Sequence, residues 1–354
     1  MRAPCVRVPV SEGEDTRTRL AEDDLLDQSL RIEGEEGWLY LPVVDADAVP
    51  DDLDVVERDV AERETQTMPA DILGFDPSYE RLGDIVIVDE DDRTRAEEIA
   101  DAVMESAIRA ETVVNRASKV KGETRVRDWD VLAGDGTVTI HREYGYEFEL
   151  DIAEVYFSPR LATERNRVVE QVEAGEHALD MFAGVGPYAV PMADRGAEVV
   201  AADINEVAID YLLRNAERNG VPACRVGEAW PESAAEADEN GDEGQDETTG
   251  CITAAAGDVR ELTDDYTDWA DRLVMNLPHS ADEFLDTAVA FAGDECVLHY
   301  YDIQHEEDPF GPGIESIEAA AGDEYDVVVE TEHTVRSYAP HELNVVLDVR
   351  LIRT

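Results

Sequence analysis

The segment His177–Gly220, HALDMFAGVGPYAVPMADRGAEVVAADINEVAIDYLLRNAERNG, constrains the fold more than any other part of the chain. It reads as one βαβ unit of a nucleotide-binding parallel sheet. The run Ala178–Phe182 is apolar except for Asp180 and is cut off by Gly184 and Gly186, so a buried strand is expected to end there in a tight turn. A helix is expected to start near Pro187, whose missing N–H costs nothing in a first turn, and a second strand, Glu198–Ala202, follows Gly196. Asp203 then stands at the carboxyl end of that strand, where an acid can accept both hydroxyls of a ribose.

A dinucleotide turn would carry G-x-G-x-x-G, and the third glycine is missing here. Asp180 instead heads a D-x-F-x-G-x-G pattern. A carboxylate at that point repels a diphosphate but suits the ammonium of S-adenosylmethionine, which is therefore the expected cofactor. NAD and a purely structural glycine turn are the alternatives. The expected cofactor contacts are Asp180, Phe182, Gly184, Gly186 and Asp203. This portion resembles the motifs of class I S-adenosylmethionine-dependent methyltransferases, a Rossmann-like α/β fold.

Charge sets the solvent. With 85 acidic against 29 basic residues the net charge is −56, a self-repulsion that molar salt screens because the Debye length falls to about 3 Å. The composition is that expected of a halophilic archaeon that accumulates salt. Cys5, Cys224, Cys251 and Cys296 show no C-x-x-C spacing and read as free thiols in a reducing cytoplasm. Neither a secretory apolar region nor a run of membrane length occurs, so a cytoplasmic location and no membrane partner are expected.

Three modules are expected. Residues 1–60 hold a strand at Cys5–Val10, a helix at Glu14–Asp23 and a strand at Trp38–Val43; a linker follows over 61–71. Residues 72–170 hold a strand at Asp84–Val88, a helix from Arg93 to Met104 and a hairpin of Thr137–Arg142 and Tyr146–Asp151 about Tyr144-Gly145. Residues 171–354 contain the βαβ unit. Within them, 232–250 (ESAAEADENGDEGQDETTG) cannot bury enough apolar area to offset ordering entropy and read as a disordered acidic insertion.

The acidity has a local exception. Between Arg109 and Arg167 ten Lys and Arg stand against eleven Asp and Glu, and the chain's only lysines, Lys119 and Lys121, lie inside that window. Chance is one explanation; a surface that meets a nucleic-acid backbone is the other. Next, YFSPRLATER places a helix start at Ser158-Pro159 and sets Arg160 and Glu164 four apart on one face, beside Tyr156 and Arg165. A surface ion pair would be inert, whereas a carboxylate among arginines can accept a proton and an arginine can stabilise charge on a carbonyl oxygen. Finally, Asn276-Leu277-Pro278-His279 follows the apolar strand Leu273–Met275 at the carboxyl end of a fourth parallel strand, where open α/β sheets put their sites. Nothing near His279 completes a metal site, and no metal is expected.

In this order YFSPRLATER, DMFAGVGP, AADIN, GDVRE and NLPHSA resemble the archaeal and eukaryotic tRNA (guanine-37-N1)-methyltransferase family. The likeness runs through the whole chain, with GWLYLPV in a small tRNA-anchoring domain, an RNA-binding α/β domain after it, and HYYDI and VRSYAP in the last strands. The acidic insertion and the acidic surface depart from the family pattern. The resemblance implies methyl transfer from S-adenosylmethionine to N1 of guanosine 37 of tRNA, held at its anticodon loop and outer corner by a monomer. It implies Glu164 as the base at N1, Arg125 facing O6, and Asn276 on the base edge. Pro278 would shape the pocket, Tyr156 would position base or cofactor, and Arg160 and Arg165 would contact phosphate or carboxylate. Asp203 would hold the ribose and Asp258 the adenine amine, with Asn276 also near the cofactor. The runner-up is a relative that transfers the aminocarboxypropyl group of the same donor during wybutosine-type modification. A non-catalytic tRNA-binding protein and a small-molecule methyltransferase are the remaining alternatives.

Overall fold

The computed structural model describes residues 2–50, 52–63, 66–118, 122, 124–227 and 250–354. Both lysines, and the predicted acidic insertion except Gly250, lie outside these residues. Contacts divide the chain at Ile72 into two units.

In the first unit four antiparallel strands form a sheet in the order β2-β3-β1-β4: β1 (Arg2–Pro9), β2 (Glu33–Glu35), β3 (Trp38–Pro42) and β4 (Asp54–Asp59). Helix α1 (Gly13–Glu22) places Leu20 on the apolar face formed by Val6, Val8, Leu41 and Val43. The expected strands and helix are present here; β2 and β4 are additional, and their short, charged sequences (EGE, DVVERD) carry no apolar alternation to announce them. Residues expected to open the linker are tied down, because Arg31 N–H donates to Ala61 O at 2.9 Å and Arg63 N–H to Ser29 O at 2.8 Å. A short helix α2 (Pro69–Leu73) follows.

The second unit holds a four-stranded sheet of β5 (Tyr79–Leu82), β6 (Ile85–Val88), β7 (Thr112–Arg116) and β8 (Trp129–Ala133), backed by α3 (Arg93–Glu105). Asp92 caps α3 by accepting from the N–H groups of Thr94 and Arg95, which satisfies two donors that a helix start leaves open. The hairpin of β9 (Val138–Glu143) and β10 (Tyr146–Asp151) turns at Tyr144-Gly145, both at positive φ (49° and 96°), the geometry that matches strand twist. Leu82, Phe148 and Val168 share one apolar core with Ala178, Val190 and Val199, so the stretches expected as separate modules before and after residue 170 are packed as one body.

The main sheet has eight strands in the order β13-β14-β12-β11-β15-β16-β18-β17. They are β11 (His177–Asp180), β12 (Glu198–Asp203), β13 (Ala223–Arg225), β14 (Cys251–Ala256), β15 (Ala270–Met275), β16 (Ala292–His305), β17 (Tyr325–Ala339) and β18 (Glu342–Arg353). β13 to β16 with β11 and β12 run parallel, and β18 and β17 are antiparallel. Ala178, Leu179, Val199, Leu273 and Met275 are buried, as continuous apolar runs require in a sheet covered on both faces. Strand order reverses between β11 and β15, which opens a crevice at their carboxyl ends.

After β11 the chain turns over Met181–Tyr188 into α5 (Ala189–Asp194), near Pro187 as expected; the first helical bond, Val190 N–H to Gly186 O at 2.9 Å, encloses Pro187, which stands where no donor is needed. One local expectation is corrected. Arg160 and Glu164 do not pair: residues Pro159–Leu161 form a 3₁₀ turn before α4 (Ala162–Val169), and its tighter winding takes Arg160 off the face of Glu164. Arg160 binds Glu80 at 3.0 Å instead.

A buried charge network fastens α4 to the sheet. Arg167 binds Glu164 (2.8 and 3.0 Å) and Asp348 (2.5 and 3.0 Å); Asp348 meets His299 Nδ1 at 2.6 Å; His299 Nε2 meets Arg272 at 2.8 Å; Arg272 binds Glu176 at 2.8 and 2.9 Å. An arginine only donates, so His299 Nε2 accepts and its Nδ1–H donates to Asp348. Burial accordingly pushes the His299 imidazole below its ordinary range. Burial alone would raise Asp348, but hydrogen bonds from His299 and Arg167 outweigh it and hold that carboxyl well below the usual carboxylate range.

Candidate active site

A cavity of about 870 Å³ lies at the strand reversal, within the range of small-molecule sites. One half is built by the turn after β11 and the ends of β12 and β14. Gly186 sits there at φ 89°, and a Cβ would come within 3.1 Å of Leu212 and Val190, so only glycine lets the turn close on α6 (Glu206–Arg218). Gly184 N–H donates to Asp203 Oδ2 at 2.8 Å and Asn205 N–H to Oδ1 at 2.8 Å. Each carboxylate oxygen thus keeps a lone pair for a sugar hydroxyl. Phe182 meets the Phe284 ring edge-on with centroids 5.0 Å apart, and Arg260, which clasps Asp258, lies 4.8 Å over Phe284. The Arg260 bond holds Asp258 below its ordinary range. Phe182, Gly184, Asp203 and Asp258 all line the cavity, whereas Gly186 and Asp180 do not reach its surface.

Asp180 is fully buried, its Oδ2 has no hydrogen-bond partner, and its Oδ1 accepts only from Phe182 N–H at 3.4 Å. Burial, with the nearby Asp203 charge adding to it, pushes the Asp180 carboxyl up to about 8. A buried carboxyl without a donor is costly unless a cation arrives, so this position fits the ammonium of a methionine-bearing ligand.

The other half is cationic and aromatic. Arg125, Arg127, Tyr156, Phe157, Asn276, Pro278, His279, Arg336, Tyr338 and Asn344 line it. Arg125 is held at φ 55°, a left-handed conformation costly for an arginine and typical of a constrained functional position. Its guanidinium lies 5.9 Å from the Tyr156 ring centroid. Among the described residues none of Arg125, Arg127 and Arg336 has a carboxylate partner, in a chain with 85 acids. His279 bonds Tyr338 Oη at 3.0 Å, and burial with the Arg125 charge lowers its imidazole below the ordinary range. Among the described residues no group of acids, histidines or cysteines is arranged for a metal.

Three sequence-expected residues sit differently. Arg165 reaches the cavity wall, yet both ends of its guanidinium are taken by Glu143 (2.6 and 2.7 Å) and the carbonyl of Ser158 (3.1 Å), so it braces the wall. Arg160 lies off the cavity, on Glu80. Glu164 is 5% exposed and behind the wall, where Tyr301 Oη donates to it at 2.7 Å. Tyr301 accepts in turn from Tyr188 Oη at 3.0 Å, and Tyr188 does line the cavity. Sequence reading passed over Tyr188, Phe284, Arg336 and Asn344. The first three lie inside or beside motifs named above, Arg336 within VRSYAP; Asn344 is one of several polar residues in ELNVVLDVRLIR and carries no local signal of its own.

The TRM5/TYW2 methyltransferase domain matches residues 139–226 and 245–329, the tRNA methyltransferase 5 N-terminal domain matches 5–50, and the TYW2 N-terminal domain matches 65–137. The chain is 36% identical to the tRNA (guanine(37)-N(1))-methyltransferase Trm5b of Pyrococcus abyssi over 98% of both chains, and superposes on the Trm5b crystal structure with a TM-score of 0.69 over 99% of both. It superposes on aTrm5 in a complex with tRNALeu with a TM-score of 0.68, at 31% identity and 99% coverage of each. A tRNA(Phe) (4-demethylwyosine(37)-C(7)) aminocarboxypropyltransferase of Methanocaldococcus jannaschii is 28% identical over 78% of this chain and 98% of its own. No helix among the described residues is long and apolar enough to cross a membrane. Fold, site and near-complete alignment agree that the chain belongs to the TRM5/TYW2 methyltransferase family.

Proposed function

We propose that the protein transfers the methyl group of S-adenosylmethionine to N1 of guanosine 37 of tRNA, giving 1-methylguanosine. The observation that carries this is the cavity itself, which joins a nucleoside-and-ammonium half to a half lined by three arginines that have no carboxylate partner among the described residues. When bound, S-adenosylmethionine supplies an electrophilic methyl on a sulfonium. Asp203 would take the ribose hydroxyls, the touching Phe182 and Phe284 rings would line one side of the adenine beside Asp258, and Asp180 would offer its charge to the ammonium. Guanine N1 bears a proton at neutral pH and sits on the Watson–Crick edge, so the base must leave the anticodon-loop stack to enter. Arg125 faces O6 and stabilises the charge that gathers there as N1 becomes nucleophilic. Asn276 accepts from the base edge, Pro278 and Tyr156 shape its slot, and Arg127 and Arg336 meet phosphate. The N1 proton goes to Tyr188, as Tyr188 passes its own to Tyr301 and Tyr301 to Glu164, along the 3.0 and 2.7 Å hydrogen bonds already in place. The protein works as a cytoplasmic monomer at high salt, gripping the anticodon loop and the outer corner of tRNA. There stacking and shape carry affinity that counterion release cannot.

The test is incubation in about 2 to 3 M KCl, where screening is near complete, with labelled donor and tRNA transcripts carrying guanosine or adenosine at position 37. Digestion is expected to give 1-methylguanosine from the guanosine transcript alone. Label arriving as an aminocarboxypropyl group would overturn the reading in favour of the wybutosine-type transferase.

The Asp180 carboxyl gives a pH signature. It is protonated at neutral pH without a nearby cation, because it titrates near 8, and an ammonium favours the ionised form. Donor binding is therefore expected to expel a proton at pH 7, and affinity to rise by up to about tenfold per pH unit from 6 toward 7.5. Above that the donor's own amine, with an ordinary pKa of about 8, begins to lose its charge. Calorimetry in two buffers of different ionisation enthalpy reads the proton directly, and Asp180→Asn should abolish it. Buffer-independent heats in the unsubstituted protein would refute the pairing. The sign for folding is opposite: a carboxyl raised in the folded state stabilises fully below its unfolded value, and that contribution is lost as pH climbs toward 8.

A further inference from the structure

β18 enters the site from the edge of the sheet opposite the cofactor turn. Its Asn344 pairs in register with Ile303 of β16 on one side and Arg336 of β17 on the other, and all three line the cavity. β16 is also the neighbour of β15, whose carboxyl end carries Asn276. Asn344 is therefore delivered to the base half of the cavity, two strands from Asn276. The residue is 3% exposed, and its Oδ1 is buried with no hydrogen-bond partner among the described residues. Arg336 Nε is likewise buried and unpartnered beside it. A buried carboxamide oxygen left without a donor is a cost that native proteins rarely carry unless a ligand removes it.

The chemistry of the proposed substrate says which donor is missing. The Watson–Crick edge of guanine presents one acceptor, O6, and the hydrogens of N1 and of the 2-amino group, whose second hydrogen points to the sugar edge. Arg125 serves O6 and the Tyr188 chain takes the N1 hydrogen, which leaves the amino group facing a single assigned acceptor, Asn276. We infer that Asn344 accepts a hydrogen bond from the guanine 2-amino group and, beside Asn276, makes the enzyme prefer guanosine to inosine, which lacks that group. This rests on the methyl-transfer reading above. Arg336, a cation on the adjacent strand, only donates and so does not compete with Asn344 for the amino hydrogens.

Inosine differs from guanosine only in lacking the 2-amino group, so tRNA transcripts with guanosine or inosine at position 37 isolate this contact. The unsubstituted enzyme is expected to favour the guanosine transcript in kcat/KM by about 10- to 100-fold, because the analogue leaves buried acceptors unpaired. Asn344→Leu should lower that ratio several-fold, with Asn276 carrying the remainder, whereas Asn344→Asp, which keeps an acceptor, should preserve most of it. Asn344→Ala gives the same reading where leucine hinders folding, and donor binding by calorimetry verifies that each variant is folded. A ratio unchanged in the leucine and alanine variants, or lost equally in the aspartate variant, would overturn the inference. Equal loss on both transcripts would assign Asn344 to structure alone. Failure of the unsubstituted enzyme to form 1-methylguanosine would instead remove the methyl-transfer reading, so the two failures are distinguishable.

Discussion

Glu164→Gln is expected to lower the single-turnover methylation rate by about 10²- to 10⁴-fold, the contribution of a positioned proton acceptor, while tRNA and donor affinities persist. The substitution keeps shape and leaves Arg167 bound to Asp348, so α4 stays fastened to the sheet. What disappears is the final acceptor of a three-member chain. Burial pushes the hydroxyls of Tyr188 and Tyr301 well above the ordinary tyrosine range, and both remain protonated and able to pass one proton while taking another. Tyr301→Phe cuts the chain without touching the carboxylate and should reproduce most of the loss. Retained rate in Tyr301→Phe would mean that the Glu164 carboxylate swings to the base itself. Parallel losses of rate and of tRNA binding in Glu164→Gln would remove it from the chemistry altogether.

Arg125→Ala should cost about 10²- to 10³-fold in kcat, as removal of one donor to a developing oxyanion does elsewhere, with a much smaller change in KM. The side chain has no carboxylate partner among the described residues, and its backbone is kept at φ 55°. Both features cost stability in the free protein and are explained together if the guanidinium waits for charge that appears only during reaction. Arg125→Lys should recover a fraction of the rate, since a lysine keeps the charge but loses the planar donor set. A defect in KM alone would move Arg125 to phosphate binding, alongside Arg127. Because His279 is lowered in part by the Arg125 charge, the alanine variant should also let the His279 imidazole titrate at higher pH, which NMR can follow.

Much of the site could be read from spacing because its determinants are local. The glycines at 184 and 186, Asp203 at a strand end, and Asn276 directly after an apolar strand each owe their place to a handful of neighbours. The same holds for the Tyr144-Gly145 turn, whose two positive-φ residues define the hairpin by themselves. Where the reading went astray, a local rule met a competing one. A helix face drawn at 100° per residue put Arg160 opposite Glu164, but Pro159 opened a 3₁₀ turn and the phase was lost.

The sequence by itself determined the cofactor half of the cavity, because glycine freedom, strand burial and an acid at a carboxyl end are properties of short segments that survive in any packing of them. Tertiary structure alone decided which groups stand in line behind the cavity wall and which strand residues reach its other half. Glu164 meets Tyr301 across 137 positions and Arg167 meets Asp348 across 181, and Asn344 reaches the cavity only through the register of β16, β18 and β17. A one-residue slip in that register would turn Asn344 to the other face of the sheet, and no local pattern in an apolar strand records which register is used.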